Sequence, residues 1–237
     1  MKTIGLIGGM SWESSLEYYR IMNEEVRHRL GGQHSAKILL YSLDFHPIEK
    51  LQREHRWEEM ALVLKDAAER LERAGAQMIL IGTNTMHKVA PEVQASIKVP
   101  LLHIADATAE KIKASGISSV GLLGTKYTME EDFMKGYLSA KHGLKVIVPG
   151  PDSRNAVHGV IYDELCRGTI KEESRKTFVR IIEALTRQGA KGVILGCTEI
   201  PLLVHQKDTS LPLFDTTAIH AKKAVEAALE ETQDRPF

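Results

Sequence analysis

The residues best suited to chemistry stand at the ends of two similar apolar segments. Cys197 follows Val193-Ile194-Leu195-Gly196 and precedes Thr198-Glu199, whereas Thr83 follows Ile79-Leu80-Ile81-Gly82 and precedes Asn84-Thr85. A thiol has an unperturbed pKa of about 8.5, and a strand-to-helix turn, with free N–H groups and a helix dipole favouring negative charge, lowers it. A hydroxyl is no base without help, but it can donate a proton or orient a water that does. Two such groups on opposite faces of a planar intermediate are what inversion of a carbon acid requires: one removes the proton and the other returns it from behind. The competing reading of Cys197 is a small buried hydrophobe, and its place at a strand end favours chemistry. Cys166, inside the amphipathic stretch 157–167, reads as packing.

These turns need strands and helices to hold them. Short apolar runs at 3–7, 36–43, 78–81, 101–104, 120–123, 145–148, 193–195 and 213–214 read as buried strands. Amphipathic spacing predicts helices over 14–30, 58–74, 105–115, 131–142, 174–188 and 217–230. Such alternation points to parallel α/β sheets, whose ligands bind beyond the carboxyl ends of the strands.

An internal repeat organises the chain. Arg73-Ala74-Gly75-Ala76 and the strand ending in Gly82-Thr83 align without a gap on Arg187-Gln188-Gly189-Ala190 and the strand ending in Gly196-Cys197, at an offset of 114 (187 minus 73). Ile4-Gly5-Leu6-Ile7-Gly8 aligns on Val120-Gly121-Leu122-Leu123-Gly124 at 116 (120 minus 4). Two matches at nearly one offset indicate duplication. The expected architecture is two pseudo-symmetric parallel-sheet α/β domains, 1–98 and 99–210, with the active site in the cleft between them and a C-terminal helix, 215–237, packing back on the first. Thr83 and Cys197 are then pseudo-symmetry mates.

Composition narrows the ligand. Lys and Arg total 31, as do Asp and Glu, so no global basic field favours nucleic acid or an anionic membrane, and a small zwitterionic ligand is easier to hold. The opening Met1-Lys2-Thr3-Ile4-Gly5-Leu6-Ile7-Gly8-Gly9 is too short an apolar run for a signal segment or a span, from which a cytoplasmic address is expected. The 2 cysteines read as reduced thiols. Neither they nor His103, His158, His205 and His220 have metal spacing. Gly5-Leu6-Ile7-Gly8-Gly9 does not match a dinucleotide fingerprint, no P-loop occurs, and no lysine is singled out for a pyridoxal Schiff base. No cofactor is expected. The turn Gly8-Gly9-Met10-Ser11, with Ser14 and Ser15, forms a plausible carboxylate cradle or a helix cap; Lys50, Gln52 and Arg53 offer a cation or polar contact for a distal carboxylate, or a solvated helix face. Glu199 either orients an ammonium or, as a negative charge beside Cys197, opposes thiolate formation.

Together Gly8-Gly9-Met10-Ser11-Trp12, Thr83-Asn84-Thr85-Met86-His87, Leu123-Gly124-Thr125-Lys126-Tyr127-Thr128-Met129 and Gly196-Cys197-Thr198-Glu199, with Phe214-Asp215-Thr216 and His220, resemble the aspartate/glutamate racemase family over nearly the whole chain. The resemblance implies a cofactor-independent racemase of small acidic amino acids, a homodimer, with two cysteines as acid–base pair. This chain departs from that pattern by carrying Thr83 at the first position. By resemblance, Cys197 deprotonates the L enantiomer, Thr83 serves the other face, and Thr125 and Thr128 donate to substrate. Met10, Ser11, Gln52, Arg53, Asn84, Thr85, Thr198 and Glu199 complete the expected substrate contacts. His87 is expected to orient its neighbours and, with Asn84 and Thr85, to relay the proton of Thr83. Two other readings stand beside this one: a lyase or decarboxylase on the same scaffold that needs a single cysteine, and a binding protein that has lost catalysis.

Overall fold

The computed structural model describes residues 1–230. Its elements run β1 (Ile4–Gly8), α1 (Trp12–Leu30), β2 (Ile38–Ser42), α2 (Phe45–Arg53), α3 (Trp57–Arg73), β3 (Met78–Ile81), α4 (Ala90–Ser96), β4 (Leu101–Leu102), α5 (Ile104–Ala114) and β5 (Ser119–Gly124). They continue with α6 (Lys126–Glu130), α7 (Lys135–His142), β6 (Lys145–Ile147), α8 (Pro151–Asp163), α9 (Glu172–Arg187), β7 (Val193–Gly196), α10 (Ile200–Leu203), β8 (Leu213–Asp215) and α11 (Thr216–Leu229).

The strands form two four-stranded parallel sheets, ordered β2-β1-β3-β4 and β6-β5-β7-β8. Each sheet uses its strands in the same order, and the repeat extends to residue register. Gly5 pairs with Ile79 and Ile7 with Ile81 in the first sheet; Gly121 pairs with Val193 and Leu123 with Leu195 in the second. Adding 116 to β1 and 114 to β3 converts one set of pairs into the other. The two-residue change of offset lies in the first turn. Gly8 ends β1 three residues before the cap Ser11, while Gly124 ends β5 immediately before the cap Thr125, so Gly9 and Met10 are the extra residues. Gly9 has φ +83, and a Cβ there would drive into the Leu43 backbone, so the longer turn needs glycine at that point.

Both faces of the second sheet are buried, as the uninterrupted apolar strands require. Val120, Leu122 and Ile194 face Ile104, Ile112 and Leu138, whereas Leu123, Val193 and Leu195 face Val157, Ile161, Phe178, Ile182 and Leu185. Truncating one of these buried side chains, such as Leu185, to alanine costs about 2–5 kcal/mol. The expected helix over 131–142 is shorter, α7 beginning only at Lys135; before it lies a separate short helix, α6, capped by Thr125 and ended by the extended Glu131.

Contacts between Cα atoms group the chain into two compact units. Of the described residues, one unit contains Met1–Gly82, Val89–His103 and 220–230; the other contains Thr83–Lys88 and Ile104–Ile219. The sequence reading placed one crossing after residue 98 and a return at the C-terminal helix, whereas here the chain crosses at four points. In the first unit the end of α11 meets the start of the chain, where the Lys2 N–H donates to Ala228 O at 2.9 Å. Residues 231–237 of the expected C-terminal helix lie outside the described residues. No helix among the described residues is long and apolar enough to cross a membrane.

Candidate active site

The second unit gathers most of the chemistry. In a parallel sheet the turns after neighbouring strands lie side by side, and a crevice opens where successive connections leave in opposite directions. Here that point lies between β5 and β7, which are followed by Thr125 and Cys197. Thr216 follows β8, on the other side of β7.

The segment Thr83–Lys88 crosses this row. Asn84 Nδ2 donates to Thr216 Oγ1 at 2.9 Å, and Thr216 Oγ1 in turn donates to Leu195 O at 2.9 Å. Thr85 Oγ1 lies 3.1 Å from Thr125 Oγ1 and 3.5 Å from Thr128 Oγ1, and those two are 3.1 Å apart. Asn84 is thus tied to the turn after β8 and Thr85 to the turn after β5, with the strand of Cys197 between them. Asn84, Thr85, Thr125 and Thr128 are all buried, while Thr83, one residue before Asn84, is partly exposed.

Two features of this cluster have chemical consequences. The Thr216 hydroxyl uses its hydrogen on Leu195, so Asn84 must present Nδ2 to it, and the opposite atom, Oδ1, is buried without a partner. A buried acceptor left unpaired costs about 1–3 kcal/mol, which an arriving N–H donor removes. Three hydroxyls in a triangle can each turn a hydrogen outward, a donor set suited to a carboxylate. Thr217 Oγ1 is likewise buried and unpartnered.

His87 holds the crossing segment by its backbone. Its Nδ1 lies 2.8 Å from Thr83 O, a pure acceptor, so Nδ1 carries the hydrogen; Nε2 then accepts the Ile104 N–H at 3.2 Å. Both ring nitrogens therefore serve main-chain groups, and the imidazole clamps Thr83 in place. That geometry does not suit the proton relay that the sequence suggested for it.

Cys197 sits in an environment opposite to the one expected of a strand-to-helix turn. Its Sγ–H donates to Glu199 Oε2 at 2.9 Å, and Thr198 Oγ1 donates to the same oxygen at 2.7 Å. Burial, then the negative charge of Glu199, push the thiol well above its ordinary pKa. Helix α10 has only four residues, so its dipole is weak against those terms. Cys166 is partly buried and packs against the apolar cluster that includes Cys197.

The remaining expected residues belong to the first unit. Ser11 caps α1, its Oγ accepting the Ser14 N–H at 3.4 Å, and Ser15 Oγ accepts the Gly9 N–H at 2.7 Å. Ser14 Oγ donates to Gly82 O at 2.9 Å. These serines therefore cap and brace the turn after β1, and Met10 is buried within it. Gln52 is buried in α2, but Arg53 is 63% exposed and paired with Glu49 on the same helix at 3.0 Å. Sequence reasoning assigned no role to Thr216 or Thr217. The available signal was their place directly after a short apolar strand, the same rule that singled out Cys197. Among the described residues no group of three or more His, Cys, Asp or Glu could hold a metal ion.

The family model of the Asp/Glu/Hydantoin racemases matches residues 7–224, and this chain belongs to that family. It is similar to the structure of a candidate Asp/Glu racemase from Yersinia pestis, at 56% identity and a TM-score of 0.92, over 97% of this chain and 100% of that one. It is also similar to an aspartate racemase homologue from Pyrococcus horikoshii, at 40% identity and a TM-score of 0.85, again over 97% and 100%. A broad-specificity amino-acid racemase from Bacillus subtilis shares 25% identity over 172 residues, 73% of this chain and 74% of the relative.

Proposed function

We propose that this protein racemises aspartate or glutamate without a cofactor, Cys197 taking the α-proton of the L enantiomer and Thr83, or a water it orients, serving the opposite face. The observation that carries this reading is the crossing of Asn84 and Thr85 over the strand end that bears Cys197. It brings a thiol, a hydroxyl triangle and an unpaired amide oxygen into one neighbourhood of the second unit. In this reading the triangle of Thr85, Thr125 and Thr128 takes a carboxylate, and Asn84 Oδ1 takes the α-ammonium. Thr198 adds a hydroxyl at the turn of Cys197.

Two enantiomers have equal free energy in solution, so kcat/KM must be equal in both directions whatever the asymmetry of Thr83 and Cys197. A hydroxyl in place of a thiol slows both directions together. General acid–base groups contribute on the order of 10²–10⁴-fold, which is the scale of the handicap.

The test is to incubate the protein with L-aspartate and L-glutamate in deuterated water and to follow α-deuterium by NMR and the D enantiomer by chiral chromatography. Deuterium entry accompanied by inversion, and a drop of about 10³-fold or more in Cys197→Ala, is the expected result. Loss of carbon dioxide with deuterium at one face would identify a decarboxylase. Binding without exchange would identify a protein that only holds the amino acid.

A further inference from the structure

Before Sγ of Cys197 can take a proton from carbon, it must lose its own. Water is poorly placed to accept that proton, because Cys197 and Glu199 are 9% and 4% exposed. The turn itself supplies an acceptor. Ile200 N–H donates to Cys197 O at 3.2 Å and Leu202 N–H to Glu199 O at 3.1 Å, so two backbone bonds fix the two residues in one tight turn. Glu199 Oε2 is thereby held 2.9 Å from Sγ, with the thiol already pointing its hydrogen at the carboxylate. Thr198 Oγ1 steadies the same oxygen from 2.7 Å.

We infer that Glu199 is the proton acceptor for Cys197, a deepening of the racemase reading and resting on it: the thiol passes its proton to Glu199 Oε2 as Sγ takes the α-proton of the amino acid. The S–H and Cα–H bonds break, an S–H bond re-forms with the substrate's proton, and an O–H bond forms on Glu199. The Cα–H electron pair stays on the substrate as the enolate. Once a proton has reached the opposite face from the side of Thr83 and the product has left, Glu199 releases its proton to the water that takes the product's place, and the pair returns to thiol and carboxylate.

This arrangement explains why a thiol pushed upward by burial and a neighbouring anion is not thereby disabled. Among the described residues the groups acting electrostatically on Sγ are Glu199, from its own turn, and Cys166, from the 3-10 turn Leu165–Arg167. Burial and these two side chains disfavour a free thiolate and outweigh the backbone N–H of Glu199, which favours it, so transfer to Glu199 replaces the separate ionisation that such surroundings oppose. It also gives Glu199 a different task from holding the substrate ammonium, since Oε2 already receives two donors from the chain.

The experiment compares the parent with E199Q and E199D. It measures kcat and KM for α-deuterium entry from pH 6 to 10, and the alkylation rate of Cys197, mapped by mass spectrometry, over the same range. For E199Q, kcat near pH 7 is expected to fall about 10²-fold and to recover as rising pH ionises the thiol, while KM changes little and alkylation at a given pH quickens. E199D, which keeps a carboxylate, should retain the parent's pH profile at a lower rate. In the parent, kcat should stay level through the range where alkylation shows the thiol still protonated.

Parent-like kcat in E199Q at pH 7, an equal loss at every pH, or a loss confined to KM would each overturn the assignment. If E199Q does not fold, a parent kcat that climbs in step with thiol ionisation overturns it equally. Absence of exchange in the parent rejects the racemase reading itself, whereas exchange lost in Cys197→Ala but unaltered in E199Q rejects only the role of Glu199.

Discussion

The turns after β3 and β7 begin from the same sheet position and are stabilised in opposite ways. In the first, Thr83 is fixed through its main chain: His87 Nδ1–H holds the Thr83 carbonyl, leaving the side chain partly exposed. In the second, Cys197 is fixed through its side chain, with Sγ–H on a buried carboxylate. A duplicated scaffold thus keeps register to the residue while its two strand ends take on unequal chemistry. Positioning and reactivity are separable: one turn holds a hydroxyl residue by its main chain, and the other holds a thiol against a buried carboxylate.

If inequality between the two turns limits the rate, restoring a thiol at the weaker one gives the largest effect. Thr83→Cys should speed racemisation of L and D substrate alike by roughly 10-fold or more, since a thiol with a pKa near 8.5 is a far better acid and base than a hydroxyl. Chiral chromatography from each enantiomer measures it, and an unchanged rate in a folded, substrate-binding variant would show that Thr83 is not a limiting group.

A smaller effect is expected at the clamp. His87→Ala leaves the Thr83 carbonyl and the Ile104 N–H without their partner, which costs about 1–3 kcal/mol for each group that water cannot reach. The expected outcome is a lower urea midpoint together with a fall of about tenfold in kcat, because Thr83 is no longer held. A loss of stability with kcat intact would make His87 a packing residue only.

The smallest effect on rate is expected from the first unit's own framework, where the change is in stability alone. His220 Nε2–H donates to Leu102 O at 2.8 Å, and Nδ1 accepts from Tyr18 O–H at 2.8 Å. Burial, chiefly, lowers its pKa to about 4. The unfolded chain, with an ordinary value near 6.5, binds the proton first, so this contribution is complete above about pH 6.5 and is lost as pH falls towards 4. The loss is on the order of 3 kcal/mol at the acid end. Urea titrations at pH 7 and pH 4.5 should show that drop in the parent and a smaller one in His220→Gln; equal drops would remove His220 from the acid response.

Much of this was legible in the sequence, for identifiable reasons. Gly-Ala before an apolar run, repeated at offsets of 114 and 116, announced both the duplication and the equivalence of Thr83 and Cys197. All eight strands were visible as short apolar runs, most clearly the central β1, β3, β5 and β7, which are buried nearly throughout. The short helices α4, α6 and α10 were not, since four to seven residues carry too little periodicity to stand out. Nor was the bond from Asn84 to Thr216, which joins residues 132 apart and depends on which strand lies between them. The sign of the Cys197 shift was missed for a similar reason: the dipole of the turn can be argued locally, but burial cannot.

The most direct measurement is made with Thr83→Val, which keeps the shape of the side chain and removes only its hydroxyl. In deuterated water, starting from the L enantiomer, the account predicts that Cys197 still exchanges the α-proton on its own face while inversion to the D enantiomer falls by about 10²-fold or more. Inversion at the parent's rate in a folded, substrate-binding Thr83→Val variant would contradict the account, because the proton would then reach the second face without any help from Thr83.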